Sequence, residues 1–566
     1  MLCFKPRGYP GRALQQAIQT RFSGPPRQLS SKPNHPDADV IVVGAGVAGV
    51  TASIAAAEKG ASVVLLDDAH GGGATALSGG VVYAGGGTSY QKAVGYGDDT
   101  PENMFRYLKA ETRDAVDEDT LRRFCNESAS RIEWLESRGV KFEASLCPHK
   151  TSFPSDKHYL IFSGNEKVYP YNTVATPAPR GHRVVGRGLS GDQLWKPLFR
   201  SALDAGVKFL PAAKVDRILV NEDGSAKGID FKCLQATGKG FSRHRTLTSV
   251  GKAFQLAFPG VADWFLSRAD RIWNRDALAM SLKAPAVILA AGGFTFNEDM
   301  RQQYLPQYSQ VAPLGTRGDD GSGIRLGQSV GGSVDKMDNM SAWRFLYPPT
   351  ALLEGVIVSQ SGQRFVCEDI YGAFLTDRMV RDHNGRAYLI LDSSQRDKAT
   401  KQLREQTRPE FCIPRLHSLK WDHVKASSLQ DLATKLDLPP TGLHNTITSY
   451  NDAIGEGKPD PMNKHAEFCS PIAKPPFYAL DISPRRTGLH VVHGLTLGGL
   501  RVDGKSGLVL RGDNTTIGGL YAAGRTAVGI CSNSYVSGLS LADGVFAGIR
   551  AGEHAASHLQ RSSFEQ

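Results

Sequence analysis

Residues 37–68 read DADVIVVGAGVAGVTASIAAAEKGASVVLLDD. Val40–Val43 is a run of β-branched residues, the composition of a buried strand. Gly44, Gly46 and Gly49 follow in GxGxxG spacing, leading into a small-residue helical stretch, and a second apolar run ends at Asp67 and Asp68. Strand, turn, helix and strand succeed one another at the length of a dinucleotide-binding unit. Gly44 makes the tight turn, Gly46 leaves room for a pyrophosphate, and Gly49 lets helix pack on strand. The helix N-terminus attracts phosphate charge. An acid about 20 residues beyond the glycines accepts from a ribose hydroxyl, and Asp67 holds that place. The competing reading is a packed βαβ unit that binds nothing.

Three further stretches bear on the nucleotide. Gly71–Gly87 (GGGATALSGGVVYAGGG) is too glycine-rich for a helix and is expected to run beside a flat cofactor, with Thr75, Ser78, Gly79 and Gly80 in contact. Ala284–Phe294 (APAVILAAGGF) is a buried strand ending in small residues, which brings Ala291 and Gly292 to the cofactor. Thr516–Ala527 (TIGGLYAAGRTA) is a second such strand, with Gly519 and Gly524 placed for close approach. Arg525 then pairs with flavin phosphate or with a nearby acid. A chain that returns to one nucleotide from its N-terminal, middle and C-terminal thirds fits FAD held extended. A final helix around 540–556 would aim its N-terminus, with Ser540 and Leu541, at the flavin.

The totals bound the rest. A chain of 566 residues exceeds one ordinary core, and 41% hydrophobic with 22% charged residues is the balance of a globular protein. The net charge of +10 is concentrated early: the first 36 residues hold Lys5, Arg7, Arg12, Arg21, Arg27 and Lys32 and no acid. That segment reads as a disordered or transit-peptide-like tail. An intracellular location is expected, mitochondrial on the transit reading and cytoplasmic or membrane-peripheral otherwise. No basic-aromatic stripe suggests nucleic acid. The eight scattered cysteines, without a CxxC pair, read as reduced thiols and not as a disulfide framework or a metal site. No apolar run reaches about 18 residues, so no membrane span is expected.

Taken together, GAGVAG, ATALSGG, ILAAGGF, GTRGDDGSGIRLG (Gly315–Gly327) and LYAAGRTA resemble the fumarate reductase / 3-ketosteroid dehydrogenase superfamily of flavoproteins, from Asp37 to His558. The resemblance implies an α/β fold: a Rossmann-like FAD-binding domain of glutathione-reductase type with an inserted α+β substrate or cap domain. The expected division is tail 1–36, FAD-binding domain 37–316, cap 317–477 and a return to the FAD-binding domain over 478–560.

The same resemblance points to the site. Where fumarate reductases resemble HTMGG, this chain has LTLGG with Leu495. Where they place arginines, it has Tyr535 and Tyr371. The pattern lacks anion binders and is similar to that of the 3-ketosteroid dehydrogenases, so a neutral steroid or triterpenoid 3-ketone is expected, with an unidentified electron acceptor. An α proton becomes acidic when the ketone oxygen is stabilised as it gains enolate character. Tyr535 is read as donor to that oxygen, helped by a backbone N–H at Gly538. Tyr371 is read as base, with Ser537 bonded into the phenol network; the two tyrosine roles are exchangeable. Core tyrosines with satisfied hydroxyls are the bland alternative. Tyr535-Val536-Ser537-Gly538 resembles the branch that desaturates C4–C5 of 5α-steroids, while action at C1–C2 stays open. A fumarate-reductase-like flavin reductase of an activated alkene and a non-catalytic flavoprotein are the competing functions.

An insertion over 234–282 carries Val250, Phe254, Leu256, Phe258, Val261, Trp264, Phe265 and Leu266 among Lys252, Arg268 and Arg271, broken by Pro259. Peripheral membrane contact through 250–268 is one reading, and packing on the domain or a second subunit the other. His182, His490 and His493 lie near site segments and read as structural. Arg364 is placed to pair with Glu368 and Asp369.

Overall fold

A computed structural model describes residues 36–564 apart from 153, 237, 256, 257 and 408; the side chains of 409–411 and 559–564 are also outside the description. The tail expected over 1–36 therefore lies almost wholly outside the described residues. Among them, no helix is long and apolar enough to cross a membrane.

The opening stretch folds as its pattern predicts. Val40–Val43 and Val63–Asp67 are strands, buried along their whole length, and Val47–Glu58 is the helix between them. They pair in parallel with Val40 opposite Val63. Ala286–Leu289 joins in parallel on the other side, and Thr516–Ala522 beyond it. Lys208–Pro211 and the antiparallel Leu508–Leu510 form the two edges of this six-stranded sheet. The register brings Val43, Asp67, Leu289 and Ala522 to one edge, so four loops leave the carboxyl ends of parallel strands together, where α/β sheets bind ligands.

The first helix is buried over Val47–Ala56 because it lies between the sheet and the closing helix, Leu539–Phe564. Gly544, Gly548 and Gly552 make that packing close. A Cβ at Gly548 would lie 2.2 Å from Thr51 Oγ1, and one at Gly552 2.2 Å from Ala52 O. Within the stretch expected to be non-helical, Gly73–Leu77 forms a short helix. Gly72, at φ +91°, supplies the left-handed turn before it, so the glycines start a helix there instead of preventing one.

A second layer holds a four-stranded antiparallel sheet in the order Val356–Val358, Tyr388–Leu391, Phe477–Asp481 and Val424–Ala426. Its own core contains Ile390, Leu432, Leu443 and Ile447. Two features cross the limits expected at 317 and 477. Phe477–Asp481 hydrogen-bonds into this second sheet, and the helix Ser322–Ser329 packs Leu326 with the first sheet's core. The insertion is a pair of helices, Lys239–Phe254 and Pro259–Asp276, set between antiparallel strands Ala226–Cys233 and Leu278–Lys283. Lys252 Nζ donates to Gly71 O (3.1 Å) and Gln255 Nε2 to Gly315 O (2.9 Å), which ties the first helix to loops of the sheet's functional edge.

Candidate active site

One cavity of about 820 Å³ runs along that edge and takes lining residues from both layers. At one end the glycines do what the spacing predicts. Gly44 sits at φ +104°, and a Cβ there would lie 2.4 Å from Ala290 O. A Cβ at Gly49 would lie 1.8 Å from Gly44 O, so this glycine serves helix-on-strand packing; it does not line the cavity. Gly46 faces open space, with nothing nearer than Thr75 Oγ1 at 3.6 Å. Thr75 Oγ1 accepts from Val47 N–H (3.0 Å), and Ser78 Oγ accepts from Gly80 N–H (3.2 Å). Gly44, Gly46, Thr75, Ser78, Gly79, Gly80, Ala291, Gly292, Gly524, Arg525, Ser540 and Leu541 all line the cavity. A helix N-terminus over a glycine that leaves the backbone bare is the cradle a pyrophosphate requires, so these residues fit FAD.

The geometry sharpens two readings at this end. Asp67 lines the cavity, but its carboxylate accepts from the backbone N–H groups of Ala45, Ala69 and Gly71, which makes it first an organiser of the loops. Asp68, passed over in favour of its neighbour, also lines the cavity. Its side chain is exposed to that space, with Asp67 as its charged neighbour. Arg525 takes the second of its two expected partners: it is ion-paired with Asp319, which also accepts from Thr316 N–H (2.8 Å).

At the other end the four residues expected to be catalytic converge. Tyr371, the N-cap of helix Gly372–Asp382, is 1% exposed, and its N–H donates to buried Asn165 Oδ1 (2.7 Å). Its hydroxyl lies 2.8 Å from Ser537 Oγ. Burial raises the Tyr371 phenol well above its ordinary range, and Tyr535 adds to this, while the hydrogen bond with Ser537 opposes it. Burial also pushes Tyr535 up to about 12, helped by Cys531; the Gly538 N–H and the Arg525 charge pull it back. Gly538 is at φ +93°, and a Cβ there would lie 2.8 Å from Tyr83 N, so the turn requires glycine. The phenols are braced by rings that sequence reading missed. Trp343 meets Tyr535 edge-on (5.3 Å), Phe345 meets Tyr371 (5.5 Å), and Trp343 stacks on Phe345. The aromatic run WRFLY over 343–347 was the available signal.

Leu495 lines the cavity as the resemblance implied. The expected lack of anion binders does not hold for the whole cavity, because Arg344 and Arg415 line it. They arrive from segments the motif comparison did not touch. His182 is buried and bonded to Thr88 Oγ1 (2.9 Å) and Arg180 O (3.1 Å), a structural histidine, whereas His490 and His493 line the cavity. Arg364 pairs with Glu368 (2.6 Å) beneath the second sheet, away from the cavity.

Comparison with known proteins agrees with this geometry. Residues 39–541 match the family model described as FAD binding domain, and the chain belongs to that family. Within it, the chain is similar to steroid dehydrogenases. It is 35% identical over 496 residues to the 3-oxo-5-alpha-steroid 4-dehydrogenase of Comamonas testosteroni, covering 86% of this chain and 92% of that one. It is 26% identical over 569 residues to a 3-oxosteroid 1-dehydrogenase of Mycolicibacterium smegmatis, covering 88% and 93%. Among solved structures, the 3-ketosteroid-Δ4-(5α)-dehydrogenase of Rhodococcus jostii RHA1 in complex with 4-androstene-3,17-dione superposes with a TM-score of 0.76 at 31% identity, covering 93% of this chain and 99% of that one. The resemblance read from the motifs is thereby confirmed, and the chain is an FAD-dependent oxidoreductase.

Proposed function

We propose that the enzyme desaturates the C4–C5 bond of a saturated 3-ketosteroid or similarly built triterpenoid ketone. The observation that carries this is the Tyr371 hydroxyl at 2.8 Å from Ser537 Oγ, in one cavity with Tyr535 and Gly538. Tyr535 and the Gly538 N–H donate to the ketone oxygen, which makes the proton on C4 acidic. Tyr371 acts as the phenolate, its own proton having gone to solvent and Ser537 donating to the charged oxygen; it takes the C4 proton and becomes the neutral phenol. The C4–H bonding pair becomes the C4=C5 bond as the hydrogen on C5 leaves with its electrons. FAD, when bound, would supply the acceptor for that hydride. Preference for C4–C5 over C1–C2 is supported by the SYVSG segment and by the greater identity to the 4-dehydrogenases. A fumarate-reductase-like reading would need ionic groups where Leu495, Tyr371 and Tyr535 stand.

The test is anaerobic. A saturated 5α-3-ketosteroid and a Δ4-3-ketosteroid are added separately to the yellow protein, the flavin absorbance is followed, and the product is identified by mass and NMR. Bleaching by the saturated ketone, with a new C4=C5 bond, is expected, and most of its rate should be lost in Tyr535→Phe. Bleaching by the Δ4 ketone alone would move the reaction to C1–C2, and bleaching by neither would end the ketosteroid reading.

The helical insertion supports a second, peripheral role. Leu266, Ala262 and Ala269 turn inward, while Phe258, Val261 and Trp264 are exposed around the turn at Pro259, and Arg268 covers the Trp264 ring. Leu256 lies outside the described residues. Exposed aromatics beside Arg268 suit a bilayer interface from which a sterol-like substrate is drawn. The protein should float with liposomes and a variant lacking 250–268 should not; equal flotation removes this contact.

A further inference from the structure

The cavity has a third part that neither the cofactor nor the ketone uses. Beyond the Trp343–Phe345 rings its wall carries two guanidinium groups. Arg344 is 8% exposed and is held by main chain: Nε donates to Ile482 O (2.8 Å), and Nη2 to Ser483 O (2.7 Å) and His490 O (3.1 Å). Arg415 lines the cavity, and among the described residues its hydrogen-bond partner is the carbonyl of Phe345. Neither has a carboxylate partner among the described residues. The acids of this corner are Asp422 and Asp481, and both are drawn to Arg485, at 3.5 and 2.7 Å. Burial lowers Arg344 to about 9 and Arg415 to about 10, so both remain charged at neutral pH. His490, which lies between them and Asp422 (3.4 Å), is held neutral by its burial and by Arg344. His417, Asp422 and His490 have ligand atoms close enough for a metal ion. Three arginines around them oppose a cation there and favour an anion.

A buried cation (Arg344) beside a partly exposed one (Arg415), neither with a carboxylate among the described residues, is costly unless something supplies the missing charge. Arg344 has a sufficient role as a clasp on three carbonyls, and Arg415 does not. Arg415 presents its remaining donors in a planar fork suited to a carboxylate. From end to end the cavity then offers phenols for a ketone, rings and apolar side chains (Trp343, Phe345, Pro348, Ile413) for a fused-ring body, and a cationic end.

We propose that the substrate carries a carboxylate remote from its 3-ketone and that Arg415 binds it, with Arg344 contributing its field. This rests on the ketosteroid reading for the ketone half; the anion site itself rests on the arginines. The proposal is tested with two probes, a 5α-3-ketosteroid bearing a side-chain carboxylic acid and its methyl ester. Binding to the oxidised holoenzyme is measured by dialysis, and turnover by flavin bleaching. The wild type should prefer the acid by about tenfold or more in Kd and in kcat/KM, the size of a charge-assisted contact. Arg415→Gln should bring the acid-to-ester ratio to near one, and Arg415→Lys, which keeps the charge without the fork, should restore part of it. Because the ratio is taken within each variant, loss of folded protein lowers both terms and leaves it unchanged. If neither ketone is oxidised but the acid still binds more tightly and loses its advantage in Arg415→Gln, the anion site stands and the dehydrogenase reading falls. Equal binding of acid and ester by the wild type, or a preference unchanged in Arg415→Gln, overturns the proposal.

Discussion

Ser537→Ala is the sharpest probe of the proton-transfer step. Burial makes the Tyr371 phenolate expensive, and the Ser537 hydroxyl, 2.8 Å from the phenol oxygen, opposes that shift. In the resting enzyme the contact joins two neutral groups and is worth about 1 kcal/mol, so the variant should fold and keep its flavin. When the phenol gives up its own proton to become the base, the same contact becomes a hydrogen bond to a charged oxygen, worth about 1.5–3 kcal/mol. The difference, about 0.5–2 kcal/mol, sets how much of the enzyme carries the phenolate. At about 1.4 kcal/mol per tenfold, turnover should fall by more than about twofold and up to about thirtyfold while KM stays within about twofold. The pH profile adds a second constraint. With the phenol raised well above its ordinary range, only a small fraction is ionised across the usable pH range, and log kcat should climb with pH at a slope near one. The variant should trace a parallel line below it, because removing a donor to the phenolate raises the same group further. Stopped-flow bleaching at a series of pH values measures both. A variant within about twofold of wild type at every pH, or one impaired only in KM, would refute Tyr371 as the base.

Other outcomes follow from packing and charge. Gly49→Ala puts a methyl group 1.8 Å from Gly44 O, backbone that cannot move without opening the cofactor turn; flavin content per protein, read from the absorbance ratio, should fall sharply. Glu368→Gln leaves Arg364 and Lys464 buried with one acid fewer, and should cost about 3–5 kcal/mol in urea unfolding. Burial lowers His182 to about 4, so between pH 6.5 and 4 the unfolded chain takes up a proton that the folded one refuses. Stability should therefore fall with pH through that window, by at most about 3 kcal/mol from this group, with Asp99 and Arg180 as its charged neighbours. Thermal melts at pH 7 and pH 5 should differ less in His182→Gln than in the wild type.

How much of this the sequence carried depends on how far each feature reaches. The βαβ unit was legible because its logic is local: the turn at Gly44, the bare backbone at Gly46 and the packing at Gly49 act on atoms within one short stretch, and the strands advertise burial through β-branched runs. Asp67 and Asp68 show where local logic stops. Both end the second strand, but alternate residues of a strand end point to opposite sides. Only the fold shows that one carboxylate is claimed by the N–H groups of Ala45, Ala69 and Gly71 while the other faces the cavity. The helix at Gly73–Leu77 was missed for a similar reason. Composition argued against it, and the positive φ of Gly72 turned that composition into a start signal.

The phenol pair and the arginine corner mark two kinds of long-range information. Tyr371 and Ser537 lie 166 residues apart, and nothing in their own segments pairs them; the resemblance did, because each sits in a recognisable motif. Arg344 and Arg415 sit in no such motif. They become a site only because the Trp343–Phe345 strip, the carbonyls of Ile482, Ser483 and His490, and the segment around Ile413–Arg415 meet in the second layer. A motif reports what family members share, and in this cavity that is the cofactor and the ketone chemistry. The far wall, where Arg415 stands, lies outside the motifs. That is where one substrate is told from another, so physical argument from charge and contact has to take over from resemblance there.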